Sequence, residues 1–296
     1  MHFGIDDGTI ARIASHFGDT FAQGLPARLA AYAKQWRLSD FAHIDYYSVN
    51  CIFTCSTAQY GDAVLKIGEP SPETLTEYAM LQAYAKRGFC RALAEDAANG
   101  ALLIERIAPG TQLRAEPDTD KRLAAFCGLW QNLHIPANGH SYPTRADWMH
   151  SAAQDAAAHP EYPALSLHME KALPIFEALR LAYPRQMLLH GDLHHDNILL
   201  SKNGYTIIDP KGVIGDPVFD IPRFLINELD NDLSEACMHR LVYMITELAK
   251  RLHIPETDLR RLVYIETVMC ESWSANGGIP ALADLDFAER LMNGGL

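Results

Sequence analysis

The densest run of chemically capable side chains is His190-Gly191-Asp192-Leu193-His194-His195-Asp196-Asn197. It follows the apolar Met187-Leu188-Leu189 and precedes Ile198-Leu199-Leu200, so a polar loop lies between two short apolar runs that read as strands. Farther on, Ile207-Ile208 leads into Asp209-Pro210-Lys211. Two polar clusters at the ends of one hairpin would be neighbours in space. Phosphoryl transfer needs a carboxylate that orients an attacking hydroxyl and takes its proton. It also needs a second carboxylate and an amide oxygen to hold Mg2+ on nucleotide phosphates. Asp192 suits the first role, and Asn197 and Asp209 suit the second. The same run admits another reading. His190, His194, His195, Asp192 and Asp196 are the ligand types of a metal-dependent phosphoesterase. That site needs further ligands from other loops, and none of His134, His140 or His150 sits in a comparable cluster. The plain account of His190 is a packed ring that supports the loop.

Phosphates also need a fixed cation. Ala63-Val64-Leu65-Lys66 puts a lysine in a strand-like run, and the helix that follows carries Glu77 as its partner. Glu73 lies on the same helix face, one turn earlier, where a first-turn acid favours the helix dipole.

The elements that must position these groups are legible in outline. The chain has 296 residues, of which 48% are apolar, enough for two lobes or one large domain. The net charge is −12, with 25 Lys+Arg against 37 Asp+Glu. That balance excludes general nucleic-acid binding, which relies on clustered cations, and would attract a cationic small molecule. Glu228, Asp230, Asp232 and Glu235 read as a solvated helix end, and Glu271 is a similar case; a cationic molecule could use one or two of them. No apolar run approaches the roughly 18 residues of a membrane span. With no basic and apolar leader, and six cysteines scattered without a CxxC, a cytoplasmic chain with reduced thiols and no membrane partner is expected. Cys51 and Cys55 read as buried strand thiols.

Apolar residues at Ile10, Ile13, Phe17, Phe21 and Leu25 predict a helix that Pro26 interrupts. Strands are expected over 43–48, 50–57 and 62–67. Ser71-Pro72-Glu73 opens a helix, and 101–104 reads as a central strand. From about 118 onward the pattern is helical except for 186–209, with helices over 239–252 and 257–272. Strands gather in the first third and helices in the rest. This is an α+β pattern with two lobes.

Asp192 and Asn197 are spaced as in the H-R-D-x-x-x-x-N loop, Asp209 stands where the D-F-G aspartate would, and Lys66 matches the lysine of V-A-I-K. With "HGDLHHDNILL", "IIDPKGVIGDP" and "FDIPRF", the chain resembles the aminoglycoside phosphotransferase group of bacterial small-molecule kinases, in its streptomycin 6-kinase/hydroxyurea kinase branch. Leu65-Lys66-Ile67-Gly68, Leu102-Leu103-Ile104-Glu105 and Leu129-Trp130-Gln131-Asn132-Leu133-His134 fit the same branch, and the resemblance spans about 35–225. It implies a two-lobed, protein-kinase-like fold. Residues 1–104 would form N-terminal helices and a β-rich nucleotide lobe, 105–117 a hinge, and 118–296 a helical lobe with the catalytic loop and substrate site. It implies ATP and Mg2+ as cofactors. Backbone groups at Glu105 and Ile107 would hold the adenine, Lys66 the phosphates with Glu77 behind it, and Asn197 and Asp209 the Mg2+. Asp192 would be the base, and Asp220 a buried brace of the catalytic loop. The acceptor would be a hydroxylated, cationic small molecule such as an aminoglycoside, or hydroxyurea, and the role antibiotic resistance. One departure stands out. The expected phosphate loop, Tyr46-Tyr47-Ser48-Val49-Asn50, has no glycine, so its phosphate contacts would come from Ser48 and Asn50. That loop is the only feature favouring a nucleotide-binding pseudokinase, because base, clamp and both metal ligands are present. The short stretch after Asp209 leaves no long activation segment and argues against a protein substrate.

Overall fold

The computed structural model describes residues 3–47, 49–85, 87–137, 141–229 and 232–294. The chain folds as two compact units, 1–110 with 200–208, and 111–199 with 209–296. The chain leaves the first unit after Gly110.

The first unit opens with helices α1 (Asp7–Phe17) and α2 (Asp19–Gln35). Asp6 caps α1 by accepting from the Thr9 N–H at 2.8 Å. The break between them is at Gly18, whose φ of +88° is open to glycine and costly for other residues. The expected interruption at Pro26 does not occur. Pro26 is exposed within α2, while Phe21, Leu25, Leu29 and Tyr32 keep a buried stripe on the core side. Burial of that stripe outweighs the hydrogen bond the proline forgoes.

Strands β1 (Leu38–Tyr47), β2 (Asn50–Thr57) and β3 (Gly61–Gly68) follow, then α3 (Pro72–Ala83), β4 (Ala92–Asp96) and β5 (Ala101–Glu105). They form one antiparallel sheet in the order β1-β2-β3-β5-β4. β1 begins five residues before the expected strand. Its register shifts between Ser39 and Ala42, and Asp40 has φ +54°, so the alternation that marks a strand is broken there. The β2–β3 and β3–β5 pairings run without a shift. Cys51, Phe53, Cys55, Ala63, Leu65, Ile67, Ala101 and Leu103 point to one face and pack with α1 and α2. The buried cysteines are free thiols, and burial pushes Cys51 up to about 12 and Cys55 to about 11. Residues between them in sequence point to the other face, and Lys66 is one of these. Segment 200–208 rejoins this unit, where the Ile207 N–H donates to the Gly88 carbonyl and the Cys90 N–H to the Ile207 carbonyl.

The chain passes through β6 (Pro109–Gln112) into the second unit. There α4 (Thr119–Trp130), β7 (Ile135–Pro136), α5 (Arg145–Ala158) and α6 (Pro163–Ala182) lead to β8 (Met187–Leu189). β9 (Ile198–Ser201), β10 (Gly204–Ile207) and β11 (Val213–Gly215) come next, then α7 (Pro222–Ile226), α8 (Glu235–Leu252), α9 (Glu256–Ser274) and α10 (Leu282–Met292). Helix α9 is buried over most of its length and packs against α5, α6, α7, α8 and α10. β8 is the middle strand of a small antiparallel sheet, β11-β8-β7, and delivers the chain into the polar loop. No helix among the described residues is long and apolar enough to cross a membrane.

Leu65 is fully buried on the α1–α2 face of β3. Leu65→Ala is expected to cost about 2–5 kcal/mol of stability by leaving a cavity in this core. Urea denaturation measures it, and a loss near zero would place the side chain elsewhere.

Candidate active site

The loop after β8 turns back sharply with little solvent to satisfy its backbone. Gly191 takes φ +82°, and a Cβ there would lie 2.7 Å from the Trp148 ring, so only glycine fits. Asp220, fully buried, accepts from the His190 N–H at 2.8 Å and the Gly191 N–H at 2.7 Å. His134 Nε2 lies 2.9 Å from the same carboxylate. Burial pushes the Asp220 carboxyl up, but the His134 hydrogen bond, the histidine charges and the Gly191 N–H outweigh it and hold it below the usual range. His190 is fully buried, and its Nδ1 accepts from the Asp192 N–H at 3.0 Å. The ring therefore supports the loop.

Asn197 closes the turn. Its Nδ2 donates to the Asp192 carbonyl at 2.9 Å and lies 3.2 Å from His194 Nε2. That fixes the amide and turns Oδ1 away from both partners. The turn at Asp209 is tied to the same loop, because the Lys211 and Gly212 N–H groups both donate to the His190 carbonyl. The two polar clusters are thus neighbours, as the hairpin spacing predicts. Asp209 sits at φ +58°, a left-handed conformation uncommon outside glycine, with Lys211 Nζ 3.6 Å from Oδ2.

The Asp192 carboxylate is bound by a residue that sequence reasoning missed. Arg223 Nε and Nη2 each lie 2.7 Å from Oδ1. On the other side His194 Nε2 is 3.6 Å from Oδ2. Burial raises the Asp192 carboxyl, but the His194 hydrogen bond, the Arg223 charge and the neighbouring histidines prevail and hold it well below the usual carboxylate range. His194 also approaches Asp196 and is raised despite its burial, by hydrogen bonds to Asp192 and Asp196. His195 faces away. It stacks on Phe224 and lies 2.9 Å from Glu228. The Arg223 signal stood in the sequence as the arginine of Asp220-Ile221-Pro222-Arg223, three residues past the brace.

In the first unit, Lys66 Nζ donates to both Glu77 oxygens at 2.7 Å, and both residues are buried. Strand alternation turns Lys66 away from α1–α2, to the face where α3 supplies Glu77. Glu73 stays in the first turn of α3, where its N–H donates to the Ser71 capping hydroxyl. Ser48 lies outside the described residues. Asn50 heads β2 opposite Gly68, with Oδ1 where a Gly68 Cβ would intrude. Glu105 ends β5, holds the Arg91 N–H and guanidinium with its carboxylate, and donates its own N–H to the Arg91 carbonyl. The Ile107 carbonyl lies 2.7 Å from where a Cβ on Gly110 would sit.

The acids divide. Glu228 is consumed internally by Arg122, His195 and Arg240, so it does not face a ligand. Asp232 accepts from the Ser234 N–H, Glu235 pairs with Arg290, and Asp230 lies outside the described residues. Glu271 and Asp284 line a cavity of about 390 Å3 together with Arg223, Asn227, Thr267 and Ser274. Burial raises the carboxyls of Glu271 and Asp284. Among the described residues the one grouping of three metal-ligand types is His168, Asp286 and Glu289, none of it on the polar loop.

The family model of the aminoglycoside/hydroxyurea antibiotic resistance kinases matches residues 35–278. The chain belongs to that family. It is a small-molecule kinase. It is 27% identical to a streptomycin 6-kinase of Streptomyces griseus over 231 residues, covering 74% of each chain. It is 29% identical to a hydroxyurea phosphotransferase of Kitasatospora aureofaciens over 217 residues, 71% of this kinase and 63% of that protein. Solved structures share its protein-kinase-like α+β fold. The aminoglycoside phosphotransferase APH(4)-Ia aligns with TM-score 0.63 at 15% identity, over 91% of this kinase and 97% of that chain. The choline kinase LicA of Streptococcus pneumoniae aligns with TM-score 0.62 at 12% identity, over 92% and 98%.

Asp220→Asn is expected to lower stability by about 3 kcal/mol or more, because an amide cannot accept from both loop N–H groups and His134. The sign with pH follows from the depressed carboxyl. Its contribution is complete above the unfolded carboxylate range near about pH 4 and is lost as pH falls through the lower folded value. Melting curves from about pH 7 to pH 3 should therefore converge for the two proteins only at the acid end. Equal stability at neutral pH would contradict the bracing role.

Proposed function

We propose that this kinase transfers the γ-phosphoryl group of ATP, with Mg2+, to a hydroxyl of a small cationic acceptor of the aminoglycoside kind. The carrying observation is the braced Asp192 carboxylate, joined through Arg223 to a cavity whose wall includes Glu271 and Asp284. Two carboxyls that burial has made reluctant to ionise gain from a cation between them. That favours an amine- or guanidine-bearing acceptor over neutral hydroxyurea. The relatives that act on streptomycin support the same choice.

Asp192 accepts a hydrogen bond from the acceptor hydroxyl and aims its oxygen at the γ-phosphorus. The new O–P bond forms in line as the bond to the β-phosphate oxygen breaks. The hydroxyl proton passes to Asp192 and then to solvent, leaving ADP and a phosphomonoester. Lys66, oriented by Glu77, is assigned to the nucleotide phosphates. Asn197 and Asp209 offer hard oxygen donors, one a fixed amide and one a carboxylate, which is the donor chemistry Mg2+ prefers. Bound there, Mg2+ supplies neutralisation of phosphate charge. Adenine contacts are assigned to the backbone at Glu105 and Ile107, and further phosphate contacts to Ser48 and Asn50.

Asp192→Ala is expected to lower turnover about 10²-fold or more while ATP still raises the melting temperature, since only the proton acceptor is lost. Lys66→Ala should instead raise KM for ATP. ADP release measured over streptomycin, other aminoglycosides, hydroxyurea, choline and simple sugars tests both. Unchanged turnover in Asp192→Ala would refute the assignment. Glu271→Gln with Asp284→Asn should raise KM for a cationic acceptor about 10-fold, as expected for loss of charge-assisted contacts. An unaltered KM would remove the cavity from acceptor binding.

A further inference from the structure

The backbone of the polar loop needs nothing from Arg223. Asp220, His190 and Asn197 already hold its N–H and carbonyl groups. What they leave loose is the Asp192 side chain, because the last torsion of an aspartate is broad and roughly two-fold. Arg223 removes that freedom. Two of its N–H groups converge on Oδ1, and the third side of the fork is anchored, with Nη1 2.9 Å from Cys270 Sγ on α9. Oδ2 is held only loosely, by His194 Nε2 at 3.6 Å. The segment that braces the loop backbone through Asp220 thus braces the Asp192 carboxylate three residues later, and Arg223 is also part of the wall of the acid-lined cavity.

We propose that Arg223 is a positioning residue for phosphoryl transfer, committing Oδ1 of Asp192 so that Oδ2 receives the acceptor hydroxyl. The proposal rests on the kinase reading above. An ion pair weakens a carboxylate as a proton acceptor. In a loose phosphoryl-transfer transition state the base contributes mainly by aligning the nucleophile, so fixed geometry is worth more than basicity. A lysine would hold Oδ1 from one point. The planar fork of arginine holds it along two directions and sets the plane of the carboxylate.

The test is a cycle of Arg223→Gln, Asp192→Asn and the double variant, with Arg223→Lys beside it, read as kcat and KM with an acceptor that wild type phosphorylates. Arg223→Gln should lose about 10²-fold in kcat, with KM for ATP unchanged. Arg223→Lys should recover part of the loss. The double variant should be no slower than Asp192→Asn alone, because a residue acting through Asp192 has nothing left to position. Multiplicative losses in the double variant would overturn the proposal, as would a raised acceptor KM at unchanged kcat, which would make Arg223 a binding group. Melting of the wild type, Arg223→Gln, Asp192→Asn and the double variant needs no acceptor. Non-additive melting temperatures support the pairing, and additive ones overturn it. A wild type silent with every acceptor would instead overturn the kinase reading and the positioning role with it, and would leave any pairing seen in the melts standing.

Discussion

One buried carboxylate makes the polar loop possible. Between β8 and β9 the chain reverses with Gly191 pressed against Trp148, and its backbone N–H groups point into the protein. Such groups must find partners, since each left unpaired costs as much as a lost hydrogen bond or more. Asp220 meets two of them, and His134 meets Asp220. Desolvating a carboxylate is expensive, and here three donors offset the cost. Everything proposed for Asp192, Asn197 and Asp209 presupposes this arrangement, including the turn at Asp209, which hangs from the His190 carbonyl.

Charge is used in three ways in this molecule. Lys66 and Glu77 form a buried pair in which each satisfies the other, so the lysine is held extended. Glu228 gathers Arg122, His195 and Arg240 and ties α4, the loop and α8 together as structure. Arg223 and Asp192 differ from both, because their pair is partly exposed and its arginine lines a cavity. A pair that serves only packing would be closed on all sides. In this one, Oδ2 of Asp192 meets only His194 Nε2, at 3.6 Å. Glu271 and Asp284 lie in the same wall, and burial raises both carboxyls.

Much of this was legible in the residues. Alternation located β2 and β3, and with them the face of Lys66. The spacing of Asp192, Asn197 and Asp209 located the loop, and the family follows from the same stretch. Pro26 misled because proline is read as a local breaker, whereas tertiary burial of Leu25 and Leu29 decides the helix. The start of β1 was hidden by its register shift. Glu228 read as a solvated acid because its partner Arg122 lies far away in sequence. Arg223 was in plain view within "FDIPRF", but no local pattern says that an arginine there meets a carboxylate 31 residues earlier. Long-range charge pairing is what a single sequence conceals.

The central claim is that a phosphoryl group moves to an acceptor hydroxyl rather than to water. Phosphorus NMR of a mixture of the kinase, ATP, Mg2+ and streptomycin measures this directly. The account predicts a new phosphomonoester resonance, rising in step with ADP and absent without Mg2+. Inorganic phosphate and ADP as the only new signals, with streptomycin or any other hydroxylated acceptor in its place, would contradict it.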